Sequence, residues 1–214
     1  MKLDLTIVVI DDSSPDGTAD IARNLQKKYG NIHVVSRPGK LGLGNAVTSG
    51  FRYLLKLRNA PDYIITMDVD YSHNPKDIPR LLNPAMKGFD LVIGSRYILG
   101  GEMVGWPLSR KLISRVANFV TTMIIGIKTC DCTSGFRCYS KEYIKRVLPN
   151  LHSQTYEIQI ETLKQARLNG FKIQEVPITF LNRKRGKSKL SAAECKGFLD
   201  YIFKTILEKR RYEK

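Results

Sequence analysis

The stretch YIITMDVDYSHNP, residues 63–75, joins an apolar run directly to two aspartates that are one residue apart. An apolar run rich in β-branched residues predicts a buried strand. Because side chains alternate along a strand, Asp68 and Asp70 are expected to point the same way at its end. Two neighbouring carboxylates repel each other, and a bound cation, a shared proton or full solvation would relieve that repulsion.

The same pattern of an apolar run ending at polar residues recurs along the first half of the chain. Strands are predicted at 5–10, 31–37, 63–70 and 89–97, with a helix after each of the first three: Ala19 to Lys28 with Thr18 as its N-cap, Asn45 to Arg58, and 74–86. Apolar strands separated by helices are typical of an α/β fold with a mainly parallel sheet.

Ligands of such sheets bind beyond the carboxyl ends of the strands. The polar residues that the pattern places there are Asp11, Asp12, Asp68, Asp70, Ser95 and Arg96. The second half of the chain predicts a long helix or a helix pair at 107–127, a loop that enters a strand near 137, a helix closed by Gly170, a strand at 171–180 and a last amphipathic helix.

Composition limits the function classes. The chain has 214 residues, 43% of them hydrophobic and 26% charged, which is ordinary for a globular protein. Two acids precede any long apolar segment, so no signal peptide is predicted, and no run is long enough to span a membrane. The net charge of +15 indicates an acidic partner: nucleic acid, an anionic membrane surface or phosphorylated small molecules. The four cysteines have no metal or redox spacing, which indicates free thiols in a reducing compartment.

The aspartate pair at 68 and 70 suits a divalent cation with oxygen ligands, which a diphosphate would complete. The competing interpretation is that both acids only cap the next turn. A second acid pair at 11 and 12, together with abundant arginine, favours a nucleotide or nucleotide-sugar site.

Two further motifs have ordinary interpretations. The glycines of PGKLGLGNA, residues 38–46, lack the ending of a P-loop, so a tight turn is expected there, with Lys40 as the functional candidate. His73 could be a third metal ligand or a base, although a structural role is favoured.

Several motifs taken together closely resemble dolichol-phosphate mannose synthases: VVIDDSSPDGTADIA, GKLGLGNAVTSGF, MDVDYSHNPKDIPRLL, DLVIGSRY followed by GGEMVGWPLSRKLISRVAN, DCTSGFRCY and QEVPITFLNRKRGKSKL. The resemblance runs in order over nearly the whole chain. It implies the GT-A fold of nucleotide-diphospho-sugar transferases, in the inverting family 2 of glycosyltransferases. It divides the chain into a catalytic domain at 1–190 and a basic amphipathic helix at 191–214. The family's first strand and helix, before residue 5, have no counterpart here, so unpaired backbone and exposed apolar surface are expected next to the strand at 5–10.

The resemblance also implies roles for individual residues. Asp11, Asp12 and Lys40 would bind the nucleotide, and Asp68 and Asp70 would bind Mg²⁺ or Mn²⁺ and through it the diphosphate. The groups implied around the acceptor phosphate are Arg96, Arg110, Ser114 and Arg183. Gln159 and Glu161 would frame the sugar, and Asp70, Arg96 and Arg110 would carry catalysis. Ser72 replaces a glutamine that many relatives have near the metal.

The reaction implied is transfer of mannose from GDP-mannose to dolichyl or another polyprenyl phosphate, for glycosylation. Two alternatives stay open: a UDP-glucose-dependent glucosyltransferase with the same acceptor, and an inactive subunit that only binds the lipid phosphate. Nucleic acid is not an expected partner, because the basic residues lack interleaved aromatics. We expect a peripheral protein on the cytoplasmic face of an anionic membrane, with a membrane-spanning helper subunit as a further partner. The segment at 116–127 and the last helix are its two candidate docking elements, and the alternative for both is that they pack onto the domain.

Overall fold

The computed structural model describes residues 4–182 and 192–212, and in the second stretch the side chains of 197–207. The strands are β1 (Ile7–Asp11), β2 (Ile32–Ser36), β3 (Tyr63–Thr66), β4 (Leu91–Ser95), β5 (Glu102–Val104), β6 (Arg137–Ser140), β7 (Ile173–Pro177) and β8 (Thr179–Leu181). The helices are α1 (Thr18–Tyr29), α2 (Leu43–Leu55), α3 (Ile78–Met86), α4 (Leu108–Ile125), α5 (Lys141–Val147), α6 (Ile158–Leu168) and α7 (Ala192–Tyr212).

The central sheet has the strand order β3-β6-β4-β7. β4 and β7 are parallel, with Val92 opposite Gln174, whereas β6 lies antiparallel between β3 and β4. Two smaller parallel pairs, β1-β2 and β5-β8, accompany this sheet. The predicted α/β fold with parallel strands and flanking helices is confirmed, and the antiparallel β6 is an addition that the sequence pattern did not predict.

Helices cover both faces of the central sheet. The side chains of β4 alternate between them: Leu91 and Ile93 pack toward α2, α5 and α6, whereas Val92 packs toward α3. All three side chains are fully buried, at 0% exposure. Burial on both faces explains why this strand is uniformly apolar in sequence.

The sheet is interrupted between β1 and β3. Within the described residues, β1 pairs with β2 alone and β3 pairs with β6 alone. Ile7 is 42% exposed and Val8, Val9 and Ile10 are only half-buried, although their sequence is that of a buried strand. The predicted exposed apolar surface beside the first strand is therefore present.

Local predictions were wrong at three places. β3 ends at Thr66, before Asp68, so the two aspartates lie in a loop and not on one strand face. The N-cap of α1 is Gly17 and not Thr18, whose backbone N–H donates instead to the Asp16 carboxylate at 3.1 Å. The strand predicted at 171–180 is divided between β7 and β8, because the backbone at Ile178 crosses from β4 to β5 through bonds to Ser95 and Glu102.

Candidate active site

The aspartate loop follows β3 at the carboxyl end of the central sheet. The Asp70 carboxylate accepts bonds from the backbone N–H and the hydroxyl of Ser72, which itself is buried. Tyr71 takes a left-handed conformation, with φ of 63°, and its side chain is 85% exposed. The Asp68 carboxyl is 48% exposed. Ser72 therefore holds the Asp70 carboxylate in place, whereas the Asp68 carboxylate is open to solvent.

His73 supports this loop from inside. Its Nδ1 accepts a bond from the Asp68 backbone N–H at 3.2 Å, and its ring stacks on Phe136 and meets the edge of Phe180. Burial lowers the pKa of His73, although Asp68 raises it in part, so the imidazole is neutral near pH 7. This arrangement agrees with the structural role favoured from the sequence.

The two carboxylates are the metal-binding candidates of this site. Among the residues that the structure describes, no cluster of three or more histidine, cysteine, aspartate or glutamate side chains has the arrangement of a metal site. An open carboxylate next to a hydrogen-bonded one fits a divalent cation that takes its other ligands from substrate oxygens and water. The donor set thus fits the expected Mg²⁺ or Mn²⁺.

Arg96, at the end of β4, forms a buried ion pair with Asp131. Its backbone N–H, Nε and Nη2 all donate to this carboxylate, at 3.0, 2.7 and 2.7 Å, and Nη2 also donates to Thr133. Burial alone would lower the pKa of Arg96, but the charge and hydrogen bonds of Asp131 raise it above its usual value. The guanidinium is therefore charged and held by several hydrogen bonds, and it lies over the rings of Tyr97, Trp106 and Phe180.

Arg110 and Ser114 lie on the first turns of α4. The Arg110 guanidinium stacks on Trp106, with Cζ 3.7 Å from the ring centroid, and Nη1 is 3.4 Å from the Asn182 side-chain oxygen. Ser114 is half-buried one turn further along. The structure thus brings Arg96 and Arg110 to one indole ring, whereas Arg183, which was predicted beside them, lies outside the described residues.

The predicted nucleotide residues follow β1 and β2. Asp11 is buried and accepts a bond from the backbone N–H of Ser14 at 3.2 Å. Asp12 forms an ion pair with Arg37, whose Nη2 is 2.5 Å away and whose side chain is 8% exposed. Lys40 is exposed in the glycine loop. These acids therefore lie together at the end of β1, and one of them already has a cationic partner.

Gln159 and Glu161 lie on the first turn of α6. Both Glu161 oxygens accept bonds from backbone N–H groups of His152 and Ser153, so this carboxylate holds the loop before α6. Gln159 is buried, and its Oε1 has no hydrogen-bond partner among the described residues. The sugar-framing role of this pair stays a prediction.

Three residues of the site were missed from the sequence: Arg37, Trp106 and Asp131. Asp131 and Arg37 act through partners distant in sequence, Arg96 at 35 positions and Asp12 at 25 positions. Trp106 contacts the nearby Arg110 and the distant Phe180. Asp131 and Trp106 each sit within a quoted motif or next to one, but an acid or an indole in a loop has no periodic pattern that would reveal its partner.

The comparisons with known proteins agree with one another. Residues 1–148 match the glycosyl transferase family 2 profile. An undecaprenyl-phosphate mannosyltransferase of Micrococcus luteus is 42% identical over 187 residues, which cover 86% of this chain and 75% of the relative. A polyprenol monophosphomannose synthase of Mycolicibacterium smegmatis is 39% identical over 192 residues, which cover 89% of this chain and 72% of the relative.

Solved structures show the same fold. Glucosyl-3-phosphoglycerate synthase of Mycobacterium tuberculosis with phosphoglyceric acid aligns with a TM-score of 0.63 at 20% identity, covering 95% of this chain and 68% of that one. Its complex with Mn²⁺, UDP-glucose and phosphoglyceric acid aligns with a TM-score of 0.62 at 20% identity, covering 94% and 67%.

Proposed function

Because this chain belongs to glycosyl transferase family 2, we propose that it transfers mannose from GDP-mannose to a polyprenyl phosphate. The observation that carries the proposal is that an acidic loop and two arginines contact the same group of aromatic rings. The Asp68–Asp70 loop rests on His73, and Phe180 contacts both His73 and Trp106, which carries the two arginines. The names of the two curated relatives support a mannosyl donor sugar and a polyprenyl phosphate acceptor.

The acidic side of the site would receive the donor. Asp68 and Asp70 would hold Mg²⁺ or Mn²⁺, which when bound neutralises charge that develops on the departing diphosphate. Asp11, Asp12 and Lys40 would bind the nucleoside. Arg37 would orient Asp12 through their ion pair, in which Arg37 Nε donates a hydrogen bond to Asp12 Oδ1 at 2.6 Å.

The basic side would receive the acceptor phosphate between Arg96, Arg110 and Ser114. An acceptor phosphate oxygen forms the new bond to the anomeric carbon while the bond from that carbon to the donor diphosphate breaks, with inversion. A phosphate is ionised near neutral pH, so no side chain has to remove a proton from it. The arginines therefore act by orientation and by charge, and Asp131 keeps Arg96 in place.

Peripheral membrane association is part of the proposal, because α4 presents apolar residues outward. Its buried positions include Asn118 and Thr121, whereas most of its exposed positions are apolar: Leu108, Leu112, Ile113, Val116, Phe119 and Met123 are 47–84% exposed. α7 packs beside α4 and exposes Leu199, Phe203 and Leu207. No helix within the described residues is long and apolar enough to cross a bilayer. Such a surface fits the interfacial layer of a membrane on which a lipid acceptor resides.

Transfer of radiolabelled mannose from GDP-mannose into an organic-extractable product tests the reaction. With dolichyl phosphate and Mn²⁺ we expect label in the organic phase, and a loss of at least about 100-fold in Asp70→Ala. Asp20→Ala, which removes an exposed acid of α1, is the matched control and retains activity.

The outcomes separate the alternatives. Label from UDP-glucose in place of GDP-mannose would make the chain a glucosyltransferase with the same acceptor. No transfer from either donor by folded protein would contradict the transferase proposal and leave a lipid-phosphate-binding subunit. The membrane-spanning helper subunit stays a prediction. Full activity without added membrane protein would show that the reaction does not require it.

A further inference from the structure

Two arginine guanidiniums lie over the indole ring of Trp106. Arg110 Cζ is 3.7 Å from the ring centroid and Arg96 Cζ is 5.3 Å from it. The indole is held from its edge by Phe180, with ring centroids 5.4 Å apart at 79°, and only 9% of Trp106 is exposed. A guanidinium at such distances is attracted by the quadrupole of the ring.

The two arginines are held by different means. Arg96 is fixed by the buried carboxylate of Asp131. Arg110 lies half-buried on α4, and its bond to Asn182 is long, at 3.4 Å. Stacking on the indole, with Arg110 Cζ 3.7 Å from the ring centroid, therefore constrains the plane of the Arg110 guanidinium.

The cluster contains buried hydrogen-bond donors that lack acceptors among the described residues. The Asp131 carboxylate is paired with Arg96 and so is not the acceptor for these donors. Trp106 Nε1 and the Tyr97 hydroxyl are both buried and find no partner among the residues that the structure describes. Both groups can donate a hydrogen bond, and an anion with several acceptor oxygens would satisfy such a set.

We propose that Trp106 is the positioning residue of the acceptor-phosphate site: it holds Arg110 against the fixed Arg96, so that a phosphate monoester binds between them. This inference rests on the proposed function for the identity of the acceptor. Trp106 acts on the phosphate through Arg110, whose guanidinium it orients.

Trp106 is the only tryptophan of the sequence, so its emission reports on this site alone. The probe is citronellyl phosphate, a short and soluble prenyl phosphate, titrated into the full chain. We expect a saturable change in emission, a dissociation constant about tenfold larger in Arg110→Ala, and no response to citronellol. No response to citronellyl phosphate would overturn the proposal. An equal response to inorganic phosphate would assign the site to free phosphate and overturn the lipid acceptor.

Steady-state kinetics with the same acceptor separates positioning from packing. Trp106→Leu keeps an apolar side chain but has no ring, and we expect its acceptor KM to rise about fivefold to tenfold, far more than kcat falls, with the donor KM unchanged. Trp106→Phe restores a ring and should recover most of the acceptor KM. Equal changes in donor and acceptor KM, or no recovery in the phenylalanine variant, would show a merely structural role.

The two proposals fail separately. A saturable emission change without any sugar transfer would overturn the proposed function and leave the anion site. Sugar transfer with an unchanged acceptor KM in Trp106→Leu would overturn the positioning role alone. Circular dichroism and the thermal midpoint of each variant show that the chain is folded in every assay.

Discussion

At the scale of single residues, Asp131 organises the basic side of the site. Its carboxylate is fully buried and accepts bonds from Arg96, Thr133 and Ser134. Removing one member of a buried ion pair leaves the other charge without compensation, which is why such pairs are far more sensitive than exposed ones.

We expect Asp131→Asn to lower the free energy of unfolding by about 3–5 kcal/mol, because Arg96 would stay buried without a counter-charge. Urea denaturation measures the change. Asp62→Ala, which breaks the exposed ion pair with Lys141, is the matched control and should change stability little. Equal effects of the two substitutions would show that the buried pair contributes no more than an exposed one.

Asp131 also makes the free energy of unfolding depend on pH in the acid range. Burial would raise the pKa of Asp131, but the charge and hydrogen bonds of Arg96 lower it below its ordinary value of 3.8. Stability from this pair is therefore fully present above about pH 4 and is lost as the pH falls through the lowered pKa of the folded state. Asp131→Asn should flatten that part of the stability curve, and an unchanged acid limb would contradict the assignment.

At the scale of elements, the glycine loop and the first turn of α2 pack against the loop before α6. A Cβ on Gly44 would lie 2.0 Å from the Ser153 carbonyl oxygen, and one on Gly42, which has φ of 90°, would lie 2.4 Å from that of Gln154. The tight turn predicted from the sequence is confirmed, and its glycines serve close backbone approach.

We expect Gly44→Ala to lower the free energy of unfolding by about 1–3 kcal/mol through overpacking. Gly39→Ala is the matched control, since a Cβ there would have no heavy atom within 4 Å. Thermal denaturation of both variants measures the difference. A stable Gly44→Ala protein would mean that the loop at 153–154 shifts without penalty.

The exposed apolar side chains of α4 predict that this helix enters a membrane interface. The double substitution of Phe119 and Met123 by serine should weaken co-sedimentation with anionic phospholipid vesicles by about tenfold or more, because it removes apolar area that would enter the interface. Ile21→Ser with Leu25→Ser on α1 removes exposed apolar residues elsewhere and should leave vesicle binding unchanged. Equal losses would contradict an oriented docking surface.

At the scale of the whole molecule, the sequence predicted the layers but not every connection. The uniformly apolar strands and the intervening helices were enough to predict an α/β fold, and the polar ends of those strands supplied most of the candidate site residues. The antiparallel insertion of β6 could not be predicted, because it depends on pairing Tyr63 with Ser140 and Leu91 with Tyr139 across long sequence distances. Short elements such as β5 and α5 carry too few residues for a periodic pattern.

The break between β1 and β3 favours local unfolding of residues 7–36. β1, α1 and β2 contact one another within residues 7–36, and the central sheet gives them no backbone bonds within the described chain. Such a local unit undergoes sub-global unfolding more readily than the buried strands β4 and β7. Its amides should exchange with deuterated solvent first, which mass spectrometry measures, and nucleotide bound at Asp11 and Asp12 should slow them. The donor half of the site would then be a separate cooperative unit whose order is set by mass action.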